Sequence, residues 1–279
     1  MSKKNSKKLR FAVHCVLAFV VSLLLFVLAY SVVLQTTFLN SDYLIESMNA
    51  SNYFADKKEE VVQDLTDLGY ASGVDEKFFE DFITEVKLSD DTNSYLTAYY
   101  DGSNTQLDTT SFKRDMLEEL QKYAKQNNLG EVNQKNVQYL IDKAAVVYRN
   151  SIEIPLFSKA AGGIHKLQNN MPLAIFAVVI VILVISAVIF FTNKWKHRAV
   201  KFYFASFAGA FLSVVIFPAF MLITNYISKI NIESRALYNT IIYSVNNFFV
   251  AVLICSVLYL LLSAVMFFLY GSLRKKASK

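Results

Sequence analysis

Histidine and cysteine are the residues of this chain best suited to chemistry, but their spacing argues against a metal site or a nucleophile. The three histidines, His14, His165 and His197, lie far apart, whereas a zinc-protease helix needs two histidines one turn apart with a glutamate between them. The two cysteines, Cys15 and Cys255, are set in long apolar segments, where burial keeps a thiol protonated and inert. Two cysteines also supply neither a disulfide framework nor a multi-thiolate metal centre. We therefore expect no metal and no cofactor.

Carboxylates and serines form no catalytic pattern either. The chain has no G-x-S-x-G and no G-x-x-x-x-G-K-[ST] segment, so it lacks the signatures of an α/β-hydrolase and of a phosphate-binding loop. Adjacent acids occur at Glu59-Glu60, Asp90-Asp91 and Glu118-Glu119. A glycosidase needs two carboxylates that face each other across a cleft, and adjacent acids on a helix are more typical of solvated surface. The sequence favours a protein that is not an enzyme.

The composition indicates a membrane protein. Of 279 residues, 54% are hydrophobic and only 18% are charged, against roughly 25% charged in a soluble domain. Four apolar segments contain no Asp, Glu, Lys or Arg, and each is long enough to cross a hydrocarbon core, which takes about 20 helical residues. They predict transmembrane helices at 11–38, 171–192, 202–227 and 245–270. We predict an all-α membrane protein with four transmembrane helices and a helical extracytoplasmic domain inserted between the first and the second.

The first apolar segment has an alternative interpretation as a cleaved signal peptide, because the residues before it are basic. A signal peptide has an apolar core of about 7–15 residues, followed by small residues at the cleavage site. Here the apolar run extends from Phe11 to Leu34 and is followed by Gln-Thr-Thr-Phe-Leu. We therefore favour a retained signal anchor.

Basic residues concentrate in three short segments next to the predicted spans. The tails 1–10 and 271–279 and the loop 193–201 together hold 13 Lys and Arg and no Asp or Glu, whereas residues 39–170 hold 22 acidic and 13 basic residues. Because cytoplasmic loops carry the excess of positive charge, we predict a plasma-membrane protein with both termini in the cytoplasm. Residues 39–170 and the short loop 228–244 are then outside.

This distribution also bears on the partners of the chain. The formal net charge of +5 resides in segments beside the membrane, where basic residues are attracted to anionic lipid. It therefore gives no support to nucleic-acid binding. The predicted partners are the lipid bilayer and a protein in or outside the membrane, and the oligomeric state is left open. The Lys- and Asn-rich composition is compatible with a bacterial plasma membrane.

The segment 39–170 has apolar residues at helical spacing. The pattern predicts helices at about 51–70, 75–86, 111–127 and 132–149, with a further short helix opened by Ser89. Residues 151–154 could form a short strand. Gly162 and Gly163 predict a loop, or alternatively a hinge, before the second span.

The third predicted span carries a proline and a series of small residues. Pro218 lies within the span and predicts a kink. Ala205, Gly209 and Ser213 recur every fourth residue, a spacing that lets two membrane helices approach closely.

Three asparagines are the other polar candidates in the membrane. Asn225 lies near the outer end of the third predicted span, and Asn246 and Asn247 lie near the outer end of the fourth. At similar depth they could form an interhelical hydrogen bond, which contributes about 0.6 kcal/mol on average. Together with Pro218 they are the candidates for interhelical or solute contact. Because the spans hold no charged residue to bind an ion or relay a proton, we favour packing over transport.

Two functions follow from these patterns. The cytoplasmic segments are too short for a catalytic domain, so the first hypothesis is a non-catalytic membrane protein whose outer helical domain binds a partner or ligand at the cell envelope, as an accessory, sensor or scaffold. The alternative is a small-solute or lipid transporter or permease subunit that uses the kinked third span and the asparagines. The layout is similar to that of bacterial membrane sensors with a helical domain between two spans, which is an analogy of architecture.

Overall fold

The computed structural model describes residues 3–103, 106–127 and 134–277, and within these ranges the chain is helical and contains no strand. Two short 3-10 turns, Tyr70–Ser72 and Tyr226–Lys229, accompany the α-helices. The α-helices of the described ranges are α1 (Lys3–Thr36), α2 (Ser41–Ala50), α3 (Tyr53–Gly69), α4 (Glu76–Phe82), α5 (Glu85–Tyr100), α6 (Thr110–Gln126), α7 (Gln134–Ile152), α8 (Pro155–Thr192), α9 (Lys196–Ile223) and α10 (Arg235–Ala277).

Four of these helices are long and apolar enough to cross a membrane. They are α1, α8, α9 and α10, with apolar stretches within Lys8–Thr36, Gly163–Thr192, Lys196–Ile223 and Arg235–Ala277. This confirms the all-helical class and the four apolar helices that the sequence predicts.

The chain divides into two compact units. The first, here called the spanning unit, comprises Met1–Phe38, Gln168–Ile230 and Val245–Lys279. The second, here called the helical domain, comprises Leu39–Leu167 and Asn231–Ser244. The second segment of the helical domain includes the first ten residues of α10, Arg235 to Ser244. Residues more than sixty positions apart in the sequence therefore complete one domain.

Within the spanning unit, α1 and α9 approach closely through small residues. A Cβ atom placed on Gly209 would lie 2.7 Å from the hydroxyl oxygen of Ser22, so the two helices meet where α9 has no side chain. One turn earlier, the buried Ser206 donates a hydrogen bond of 2.9 Å to the Ala18 carbonyl oxygen. Small residues thus allow α9 to contact the backbone of α1.

The close approach uses only part of the predicted small-residue series. Ala205 and Ser213 are exposed, whereas Ser206 and Ala210 are buried. The face of α9 that is buried therefore includes Ser206 and Ala210 in place of the predicted Ala205 and Ser213. The reason is that Ser206 can donate to a carbonyl of the neighbouring helix, which the methyl group of Ala205 cannot.

The helical domain has one apolar core centred on α3. The side chains of Leu65 on α3, Phe79 on α4 and Leu96 on α5 have no exposed surface. Tyr148 on α7 stacks on Phe112 of α6, with ring centroids 4.3 Å apart. Other buried members of this core include Val61, Ile83, Leu88, Met116, Ile141, Ala144, Ile152 and Ala236. Ala236 belongs to α10, so the core takes in the second chain segment.

Helix boundaries in this domain differ from the predicted ones at two places. The helix α2 has no counterpart among the predicted helices. The predicted start of a helix at Ser89 is wrong, because α5 begins at Glu85 and runs through Ser89 without a break. The break falls instead at Ile83 and Thr84, where the Thr84 hydroxyl accepts the Lys87 backbone N–H at 3.2 Å and so caps α5.

The connection from the domain to the second span also differs from the prediction. Residues 151–154, which the sequence allows as a short extended piece, form no strand, because α7 continues to Ile152. The predicted loop at Gly162 and Gly163 is wrong, since α8 is one helix from Pro155 to Thr192. Proline at the first helical position needs no N–H partner and has its φ angle already set for a helix, which explains why α8 begins there.

Candidate functional site

An open groove of about 630 Å³ lies between α3, α4 and the start of α5. The α3 side of the groove carries residues that recur every three or four positions and therefore share one helix face. These residues are Ala55, Lys58, Glu59, Val62, Gln63, Thr66 and Asp67. The opposite side carries Glu76, Glu80 and Glu85. We call this surface the acidic groove.

The corner between α3 and α4 positions the two walls. At the last residue of α3, a Cβ placed on Gly69 would lie 2.7 Å from the Phe79 ring, so only glycine lets α4 pack this tightly. The Asp75 side chain accepts the Phe78 backbone N–H at 3.0 Å and begins α4. Because Phe78 and Phe79 are buried on one side of α4, Glu76 and Glu80 are left on its exposed side.

The charge of the acidic groove is strongly negative. Its lining contains five carboxylates and one amine, that of Lys58. Glu59 is 74% exposed and is paired with Arg235 at a distance of 3.5 Å. The groove is therefore suited to attracting cationic groups.

Next to the groove, Glu60 caps the first turn of α10. Its carboxylate accepts the Ala236 backbone N–H at 3.1 Å and the Ser234 hydroxyl at 2.9 Å. Lys57 adds an ion pair of 3.0 Å. Burial alone would raise the pKa of Glu60, but these hydrogen bonds and the charge of Lys57 outweigh it, and the pKa is lowered. Glu60 is therefore an anionic partner for a helix N-terminus, where a negative charge is favourable.

A second carboxylate on α3 holds the same segment. Asp56, whose side chain is 7% exposed, pairs with Arg235 at 2.8 Å. It also accepts a hydrogen bond of 2.8 Å from the Asn239 side chain. At the next residue of α10, the hydroxyl of Thr240 lies 2.7 Å from that of Ser51, which precedes α3. We call these contacts, with those of Glu60, the α3–α10 seam.

The seam is the part of the domain that the sequence analysis missed. The sequence predicts a short external loop and the start of a helix at 228–244, and no local pattern assigns this segment to the domain. The available signal was Ser234, a helix-capping residue type, followed by a helical apolar pattern. Its partners on α3 are about 175 residues earlier in the sequence, and no local pattern links the two.

The four polar or helix-kinking candidates of the apolar segments lie on α9, just after it, and on α10. Pro218 is buried inside α9, which continues past it to Ile223. Asn225 lies beyond the end of α9 in the left-handed region, with φ of 47°. Asn246 and Asn247 are half-buried on α10. Among the hydrogen bonds of the described residues, none joins Asn225 to either asparagine of α10, and a role in solute contact stays a prediction.

The histidines occupy three separate places. His14 is buried, and its ring nitrogens lie 2.6 Å from the Arg10 carbonyl oxygen and 2.8 Å from the Thr192 hydroxyl. His165 donates to the Tyr100 carbonyl oxygen at 2.9 Å. His197 lies in the basic stretch at the start of α9. The described ranges contain no group of three His, Cys, Asp or Glu side chains that could hold a metal ion.

Comparison with known proteins gives no relative from which a site could be transferred. The chain matches no family model, no curated protein and no solved structure.

Proposed function

We propose that this protein is a non-catalytic, multi-pass membrane protein whose helical domain binds a cationic partner in the acidic groove. In this proposal the helical domain lies outside the cytoplasm, and the protein acts as an accessory, sensor or scaffold at the plasma membrane. The observation that carries the proposal is the lining of the groove, in which five carboxylates face one lysine. A surface of this charge favours a partner that presents amines or guanidinium groups and disfavours an anionic one.

The helical domain is built from two chain segments. This supports a topology in which the chain between the two segments crosses the membrane twice. Residues 39–167 and 231–244 belong to the same compact unit, which favours a topology with both segments on one side of the membrane. The chain between them includes the apolar stretches of α8 and α9, which then cross once in each direction. With the basic residues concentrated in the tails and in the loop 193–201, the positive-charge rule favours cytoplasmic termini.

Binding of a defined cationic probe tests the groove. A fluorescent hexalysine peptide is titrated into the full-length protein in a neutral detergent, and a variant with Glu76→Gln, Glu80→Gln and Glu85→Gln is titrated in parallel. Exposed ion pairs contribute about 0.2–1 kcal/mol each, so we expect the variant to bind about tenfold more weakly. Binding should also weaken with added salt.

The matched control replaces acids away from the groove. Glu118→Gln with Glu119→Gln removes an exposed acid pair on α6 that contacts Lys122. This variant should bind hexalysine like the native protein. Equal losses in the two variants would show that only net charge matters and would refute a groove-specific role.

Sidedness is tested separately with a membrane-impermeant thiol reagent on intact cells. Single cysteines replace Lys125 on α6 or Ser272 near the end of α10, both exposed, in a chain whose Cys15 and Cys255 are serines. We expect labelling at position 125 and none at position 272 until the cells are lysed. The reverse pattern would place the helical domain in the cytoplasm.

The alternative function, a small-solute or lipid transporter or permease subunit, has its own test. Replacing Asn246 and Asn247 with leucine should stop flux in proteoliposomes if these residues line a pathway. Flux that is absent in the native protein, or unchanged in the variant, would exclude this alternative.

A further inference from the structure

A dense group of basic side chains lies at one end of the spanning unit. The phenyl rings of Phe11 and Phe202 are 5.8 Å apart, which joins the start of α1 to the start of α9. His14 reaches Thr192, the last residue of α8. The rings of His197 and Tyr270 are 6.4 Å apart, which joins the start of α9 to the last part of α10. Four helix ends therefore meet at one end of this unit.

The basic side chains of the segment 194–201 are exposed at this end. Lys194, Lys196, Arg198 and Lys201 are all exposed, and among the described ion pairs none involves them. Arg10 on α1 and Arg274 on α10 are exposed at the same end. The sequence has no Asp or Glu in 1–38, in 171–230 or in 245–279. This charge must be balanced by a partner outside the chain or by solvent ions.

We propose that the start of α9, with Lys196, Arg198 and Lys201, forms a binding surface for the phosphate of anionic lipid headgroups. The location at the end of four spanning helices is the depth at which headgroups lie. Trp195, which is 46% exposed, precedes the cations, and tryptophan is enriched at this interface because its ring is amphipathic. Charge complementarity selects an anionic over a zwitterionic lipid. This surface is independent of the acidic groove.

Trp195 is the single tryptophan of the chain, so its fluorescence reports on the lipids at this surface. The full-length protein is reconstituted in vesicles that contain equal parts of phosphatidylglycerol and phosphatidylcholine. Either the anionic or the zwitterionic lipid carries brominated acyl chains, which quench tryptophan on contact. We expect stronger quenching by brominated phosphatidylglycerol, which measures enrichment of the anionic lipid around Trp195.

The variant with Lys196→Gln, Arg198→Gln and Lys201→Gln should lose this preference. A basic residue near an anionic surface contributes about 1 kcal/mol, so each replacement is expected to weaken the preference by up to about fivefold. The matched control replaces three exposed lysines of the helical domain, at positions 77, 125 and 143, and should keep the native preference. A second variant, Arg198→Gln alone, should show an intermediate preference even if the triple variant folds poorly.

Three outcomes would overturn the proposal. The first is equal quenching of the native protein by the two brominated lipids. The second is a preference that survives in both the triple variant and the single variant. The third is loss of the preference on adding millimolar inorganic phosphate at constant ionic strength, which would identify free phosphate rather than a lipid headgroup as the ligand.

Discussion

Replacing Glu60 with alanine is expected to loosen the first turns of α10 from α3. Glu60 accepts one backbone N–H and one hydroxyl at the start of α10, and its side chain is only 26% exposed. Hydrogen bonds to a charged group contribute about 1.5–3 kcal/mol. Part of this is recovered when water reaches the freed groups, so we expect a loss of about 2 kcal/mol in the local free energy of opening.

Hydrogen exchange measures this loss directly. A change of about 2 kcal/mol corresponds to roughly thirtyfold faster exchange in the limit where opening is a rapid equilibrium. The affected amides are those of residues 235–244. Glu60→Gln keeps an oxygen acceptor but removes the charge, so its effect should be about half as large in free energy. Exchange in α6, whose residues are not among the hydrogen-bond and ion-pair partners of the seam, serves as the internal reference.

The pH dependence gives a second signature of the same contact. The pKa of Glu60 is lowered by the net effect of its hydrogen bonds and Lys57, which outweigh the raising effect of burial. A carboxylate with a lowered pKa stabilises the fold above its ordinary pKa, and this stabilisation is lost as the pH falls through the lowered value. The protection of the backbone amides of residues 235–244 against hydrogen exchange should therefore decrease below about pH 4.5, after correction for the intrinsic exchange rates. In Glu60→Gln this decrease should be smaller.

A neighbouring residue provides the control that can refute the reasoning. Glu59 is 74% exposed and lies 3.5 Å from Arg235, so Glu59→Gln should change exchange by less than about twofold. If Glu60→Ala leaves the exchange of 235–244 unchanged, or if Glu59→Gln has the same effect, Glu60 is not the cap that the geometry indicates.

Two glycines provide the remaining predictions. Gly69→Ala puts a methyl group 2.7 Å from the Phe79 ring and should destabilise the helical domain by about 1–3 kcal/mol, measured as a lower midpoint of thermal unfolding by circular dichroism; an unchanged midpoint would show that α4 moves freely. Gly209→Leu would force α9 away from Ser22 on α1, and it should reduce the yield of a disulfide between cysteines placed at Ala18 and Ser206. Gly163→Leu is its control, because a Cβ there meets nothing within 4 Å, and equal yields in the two variants would contradict the close approach.

The sequence was sufficient for the features that depend on composition and local pattern. Long apolar runs determine the four helices that are long and apolar enough to cross a membrane, because a helix in lipid must satisfy its own backbone and present apolar side chains. Phe112, Met116 and Leu120 recur on one face of α6 and are buried as their spacing predicts. Both signals lie within one segment and need no knowledge of its neighbours.

The features that were missed depend on contacts distant in sequence. Ser89, Asp90 and Asp91 resemble a helix start, but Thr84 caps α5 one turn earlier and the helix continues through them. The acidic groove requires α3 and α4 to meet at Gly69, and the seam requires Glu60 to reach Ala236. Periodicity reports which face of a helix is buried, but it does not report which helix covers that face.

The second segment of the helical domain has a consequence for biosynthesis. The ribosome must add α9 and the start of α10 before Glu60 can find its backbone partner at Ala236. At about 5–20 residues per second, the first 129 residues of the domain wait for several seconds with that face of α3 uncovered. A chain that terminates after Ile230 would lack Arg235 and Ala236, so Asp56 and Glu60 on α3 would lose the partners that they have in the complete domain.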